Sequence, residues 1–133
     1  MMINLILKRI FIFFLLTFSF EVNSKNYEKK KFICADEIGP VIEFEVPSFK
    51  NAEIEQKLIF KYFNDDDRDI FYNESGIMFK QSSPIDDSYY YYKVDTTLKN
   101  EKSKKLFFEF FPPSTLMLKK DSYMTKTLAC WND

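Results

Sequence analysis

Apolar and polar residues alternate with a period of two along much of this chain after residue 30. Ile42, Phe44 and Val46 alternate with Glu43 and Glu45, and Pro47 ends the run. Leu58, Phe60 and Tyr62 alternate with Lys57, Ile59 and Lys61, and Leu106, Phe108 and Phe110 alternate with Lys105 and Glu109 before Pro112-Pro113 stops them. Successive strand side chains point to opposite faces, so each run predicts a strand with its even residues turned inward. Phe32 and Cys34 mark an earlier strand, and Tyr89 to Asp95 has the residue types of another. Ile70 to Tyr72 and Ile77 to Lys80 flank Asn73-Glu74-Ser75-Gly76, which reads as a hairpin link. Leu116 and Leu118, then Tyr123 to Trp131 across Asp121-Ser122, predict a closing hairpin. Eight or nine strands at about ten-residue spacing define an all-β sandwich or barrel. Helical composition is confined to Asn51 to Lys57, enough for one short turn. The strand-helix alternation of a parallel α/β enzyme is missing.

The first 24 residues depart from this pattern. Lys8 and Arg9 form a basic region, Ile10 to Phe20 is apolar apart from Thr17 and Ser19, and Val22-Asn23-Ser24 presents modest side chains where a signal peptidase reads them. That order predicts a signal peptide over 1–24, cleaved before Lys25, and a single β domain over 25–133 in the periplasm or outside the cell. An uncleaved anchor is the alternative, but a span needs about 20 apolar residues. Ile10 to Phe20 is eleven residues long and supplies nine. No stable membrane span is therefore expected after cleavage. Removing Lys8, Arg9 and Glu21 takes the 19 basic and 20 acidic residues to 17 and 19, a net charge of −2. Nucleic-acid binders neutralise phosphates with a basic face. Here the basic clusters are Lys29-Lys30-Lys31 and Lys102 to Lys105, which read as solvated lysines, so no nucleic-acid partner is expected.

At 109 residues after the leader, the domain is of a size whose stability is marginal, and a covalent staple matters. Cys34 and Cys130 are the only cysteines, and export places them where disulfides form and persist, so they are expected to pair. A disulfide holds its Cα atoms about 4.4 to 6.8 Å apart. The first and last strands must then be neighbours, as in a meander closing into a barrel, or face each other across a sandwich core. A thiol nucleophile needs a base such as histidine, of which the chain has none, and two thiols do not complete a zinc site.

Candidate chemistry is sparse. Asp65, Asp67 and Asp69 have the alternate spacing of a calcium loop, but Ile70 stands where its glycine belongs and Gly76 where its glutamate belongs. The segment reads as a polar turn, with Arg68 screening its charge, and no metal or other cofactor is expected. Tyr89-Tyr90-Tyr91-Tyr92 is the most unusual local feature. In register with Val94, Tyr90 and Tyr92 are core candidates; Tyr89 and Tyr91 then face outward beside Lys93 as candidate binding residues, offering area and a polar tip. Phe107, Phe111, Met117 and Trp131 are expected to fill the interior, the alternatives being a ligand cavity or a covered sheet face. Without histidine, a Gly-x-Ser-x-Gly elbow or a phosphate loop, no catalytic residue is assigned. Paired carboxylates, Glu43/Glu45 or Asp86/Asp87, keep a hydrolase as a third reading.

An early strand with Cys34 and a final Leu128-Ala129-Cys130-Trp131 hairpin after Thr115-Leu116-Met117-Leu118, behind a leader, resembles small exported two-cysteine all-β bacterial proteins of unknown function. This likeness implies a periplasmic β domain and no catalytic residues. The leading expectation is non-catalytic binding of a protein or envelope component. The alternative is a carrier of a small apolar ligand in a barrel cavity.

Overall fold

The computed structural model describes residues 26–121 and 124–133. The leader assigned to 1–24 lies outside them, as do Ser122 and Tyr123 of the expected closing hairpin. Eight antiparallel strands run in chain order: β1 (Lys31–Ala35), β2 (Pro40–Glu45), β3 (Glu55–Phe63), β4 (Phe71–Ser82), β5 (Tyr90–Thr97), β6 (Lys105–Phe111), β7 (Thr115–Lys120) and β8 (Lys126–Asn132). Each pairs with the next, and β8 returns to pair with β1, closing the barrel. Cys34 lies directly opposite Cys130 in that seam, their Cα atoms 4.0 Å apart and their sulfurs bonded across 96 residues of sequence. The barrel, not the sandwich, is the observed form.

Alternation sets the inside and outside of this barrel. Phe32, Phe44, Phe60, Phe108 and Phe110 all point inward and are buried, with ring centroids 4.7 to 6.2 Å apart. Tilted and edge-on contacts of this kind suit the charge distribution of aromatic rings. Leu58, Met78, Val94, Leu106, Leu116 and Leu128 fill the space around them. Mid-strand outward positions mix the charged Glu43, Lys61, Lys93 and Glu109 with exposed Ile59 and Ile77. A membrane-spanning barrel has the reverse polarity, apolar outside and polar within. Among the described residues no helix is long and apolar enough to cross a membrane.

Three local expectations require correction. Asn73-Glu74-Ser75-Gly76 is not a turn but the middle of β4, which pairs with β3 without interruption from Phe71 to Phe79. Its glycine answers a crowding problem: a Cβ on Gly76 would lie 3.0 Å from the Thr96 Cβ and 3.1 Å from a Val94 methyl. Residues 51–57 form no helix. Ala52 adopts φ 59°, left-handed backbone that ends any helical run, and Glu53 N–H closes a turn on the Lys50 carbonyl at 2.9 Å. Finally, Phe107, Phe111, Met117 and Trp131 sit on the outer wall, Trp131 47 % exposed, because the even residues of β6, β7 and β8 already occupy the interior.

Candidate functional site: a tyrosine-lined cup at one mouth of the barrel

The two mouths differ in how closely their loops are tied to one another. At one mouth Arg68, from the loop between β3 and β4, grips Asp36 of the β1–β2 loop with two hydrogen bonds of 2.9 Å. It also donates to the carbonyls of Gly39 and Pro40. Asp36 further accepts the Ile38 and Gly39 amides and an ion pair from Lys126. Beside it Lys120 bridges Asp65 at 3.0 Å and Glu101, and lies 5.3 Å from the Tyr62 ring centroid. Burial pushes the Tyr62 phenol up to about 12. Glu74, 3 % exposed, accepts the Lys99 and Asn100 amides and the Asn100 side chain at 2.9 to 3.0 Å. These contacts staple the loops of this mouth to one another. The aspartates read as a polar turn behave as one, since Asn64 accepts the Asp66 and Asp67 amides and Asp67 that of Asp69. Among the described residues no group of three acidic or cysteine side chains is arranged to hold a metal.

The opposite mouth is an open cup of about 590 Å³. Its floor is Tyr92, 2 % exposed, packed 6.0 Å from Phe49 and 6.2 Å from Phe110. Its near wall is the segment before β1, which is held to the residue after β2 by the Lys29 amide on the Val46 carbonyl and the Val46 amide on the Lys30 carbonyl. That segment brings Tyr27 and Glu28 to the rim. Its far wall is the loop between β4 and β5, closed by hydrogen bonds from the Ser83 amide to the Tyr89 carbonyl and from the Tyr89 amide to the Asp86 carbonyl. Asp86 accepts both the Ser88 hydroxyl, at 2.7 Å, and the Ser88 amide. These bonds hold the Asp86 carboxyl below its ordinary range.

Lys80 crosses the cup. It pairs with Glu28 at 3.0 Å and places its ammonium 4.5 Å from the Tyr90 ring centroid and 5.5 Å from that of Phe49, within reach of a cation–π attraction. Tyr89 is half-buried and donates its hydroxyl to the Pro112 carbonyl at 2.8 Å. Tyr90 and Tyr92 donate theirs to no acceptor among the described residues. Burial first, then the Glu28 carboxylate, raises the Tyr92 phenol above its ordinary range.

Tyr89 and Tyr91 part company in the fold. Tyr89 reaches the rim of the cup, whereas Tyr91 lies on the outer wall, stacked on Phe111 at 5.4 Å and 5.6 Å from the Lys93 ammonium. Tyr90 corrects the core expectation. It points the same way as Tyr92, yet it stands at the lip and is 40 % exposed. Sequence reasoning passed over Glu28, Lys80 and Ser88, which are ordinary surface types carrying no motif; Lys80 and Ser88 share the β4–β5 hairpin, and only the closure of the barrel brings Glu28 to them. Glu43 sits on the outer wall and is engaged by Lys31 at 2.6 Å and Lys61 at 3.8 Å. No family model matches the chain, and no curated protein and no solved structure is significantly similar to it.

Proposed function

We propose that this is an exported, non-catalytic binding domain of the periplasm or extracellular space, which contacts a protein or envelope component through the tyrosine-bearing mouth of its barrel. The observation that carries this reading is the contrast between the mouths: one is closed by its own ion pairs, and the other leaves aromatic and polar groups accessible around a concavity. Small-ligand and contact sites share that character, an aromatic lining with a few placed polar groups. The Cys34–Cys130 bond supports an oxidising compartment, in keeping with the leader read from residues 1–24. Carriage of an apolar ligand inside the barrel is less well supported, because phenylalanine rings occupy the inward positions. Hydrolysis by a carboxylate pair is less well supported too. A general acid needs a raised pKa, and Asp86 is lowered.

The test is retention on envelope isolated from the source cells. Purified protein should co-sediment with it, and Tyr90→Ala should abolish retention while Tyr91→Ala leaves it intact. Equal retention of all three proteins would remove the mouth as the contact surface.

A further inference from the structure

The chemistry of the cup narrows what it can hold. Among its lining residues are two carboxylates, Glu28 and Asp86, and one ammonium, Lys80, a formal charge of −1. An anionic ligand would meet net repulsion, because Glu28 already neutralises Lys80 at 3.0 Å. A cationic ligand would have to displace the Lys80 ammonium from Tyr90 while lying beside that same positive charge. An extended peptide added as a strand requires a free sheet edge, and the pairing of β1 with β8 leaves none. What remains is a neutral ligand that has both an apolar face and many hydroxyls.

We propose that the cup is a saccharide-binding site for a neutral glycan chain, with Tyr90 as the stacking platform, which the Lys80 ammonium vacates to donate to a ligand hydroxyl. This rests on the mouth being the contact surface. The C–H-bearing face of a pyranose ring is weakly positive and complements the negative face of an aromatic ring. Its hydroxyls both donate and accept, and the cup offers both kinds of partner: Glu28, Asp86 and Ser88 to accept, Tyr90, Tyr92 and Lys80 to donate. The concavity of about 590 Å³ falls within the range of small-ligand sites and has room for more than one sugar ring. Its open side allows the chain to continue out of the cup.

The test uses protein purified from the exporting host and a panel of neutral hexasaccharides: β-1,4-linked glucose, α-1,4-linked glucose, β-1,4-linked mannose and β-1,4-linked N-acetylglucosamine. Tetramethylammonium chloride and heparin serve as the cationic and anionic comparisons. Titration followed by NMR should show at least one hexasaccharide binding saturably, with Kd between about 10 μM and 1 mM, and shifting the Tyr90 and Tyr92 ring signals. Tyr90→Ala should weaken that binding by about tenfold or more, and Tyr91→Ala should not change it. Tyr90→Phe, which keeps the ring, should retain most of it. Melting temperatures of the variants, read alongside, separate loss of the site from loss of the fold. Saturation by no hexasaccharide at about 10 mM, binding that survives Tyr90→Ala, or binding of tetramethylammonium or heparin alone would each overturn the proposal. If envelope retention depends on Tyr90 and yet no hexasaccharide binds, the saccharide is wrong and the mouth is still the contact surface.

Discussion

Tyr90 and Tyr92 leave the same strand in the same direction, yet one is 40 % exposed and the other 2 %. Alternation assigns a direction; position along the barrel axis decides burial. Truncating a buried aromatic costs about 3 to 5 kcal/mol, whereas surface changes stay within about 0.5 kcal/mol. Tyr92→Ala should therefore lower the urea midpoint steeply, and Tyr90→Ala should leave it close to that of the parent. Similar midpoints for the two variants would contradict the assigned depth. Asp36 is the other residue whose surroundings set its behaviour. The Arg68 hydrogen bonds hold its carboxyl well below the ordinary range against the opposing effect of burial, and Lys126 and the loop amides add to them. In the unfolded chain this carboxyl titrates near 3.8. The folded protein thus binds fewer protons than the unfolded one just below that pH, and stability falls as pH falls. The Asp36 contribution should be complete well above pH 3.8 and decline below it. Asp36→Asn should lose about 2 kcal/mol at neutral pH and show a flatter acid limb when urea midpoints are compared from pH 7 down to about pH 2.

Among the strands, β4 departs furthest from what its residues suggest. Asn, Ser and Gly within four residues are turn formers, yet here each has a position in a twelve-residue strand. Asn73 faces solvent, Glu74 turns inward to accept the amides of the β5–β6 loop, and the Ser75 carbonyl accepts the Thr96 hydroxyl at 2.6 Å. Gly76 makes room for β5, whose Thr96 and Val94 side chains fill the space where a Cβ would stand. Overpacking of this kind costs about 1 to 3 kcal/mol. The Thr96 Cβ is bound to its backbone and cannot swing aside, so Gly76→Ala should destabilise the barrel by that amount in chemical denaturation. An unchanged or raised midpoint would show that β5 yields more easily than its packing implies. The composition cue failed here because turn propensity is local, while the requirement for glycine comes from a neighbouring strand about twenty residues away in sequence.

For the whole molecule, closure is the decisive property. The β1–β8 seam removes both sheet edges that would otherwise invite pairing with other chains, and the Cys34–Cys130 bond crosses that seam between directly opposed residues. A bond closing a loop of this length restricts the unfolded chain by about 4 to 5 kcal/mol in the entropy model. Cys34→Ala combined with Cys130→Ala should therefore lower stability by about 2 to 5 kcal/mol, measured as the difference in unfolding free energy from the intact protein. Thiol labelling of protein recovered from its native compartment, denatured without reductant, should find no free thiol. Two reactive thiols would refute the bridge.

The sequence by itself determined the all-β class, the inward faces of β2 and β3, and the cysteine pairing. Each depends on a period of two or on a residue type present only twice in the chain, and neither requires knowing what lies across the core. Tertiary structure alone decided that the sheet closes as a barrel, that β4 runs through its apparent turn, and that Tyr90 is exposed where Tyr92 is buried. It also decided the candidate site. Lys80, Asp86 and Tyr90 lie on the one hairpin of β4 and β5, but Glu28 stands 52 residues before Lys80, and only the meander's return to its first strand sets the segment before β1 facing the β4–β5 loop across one mouth.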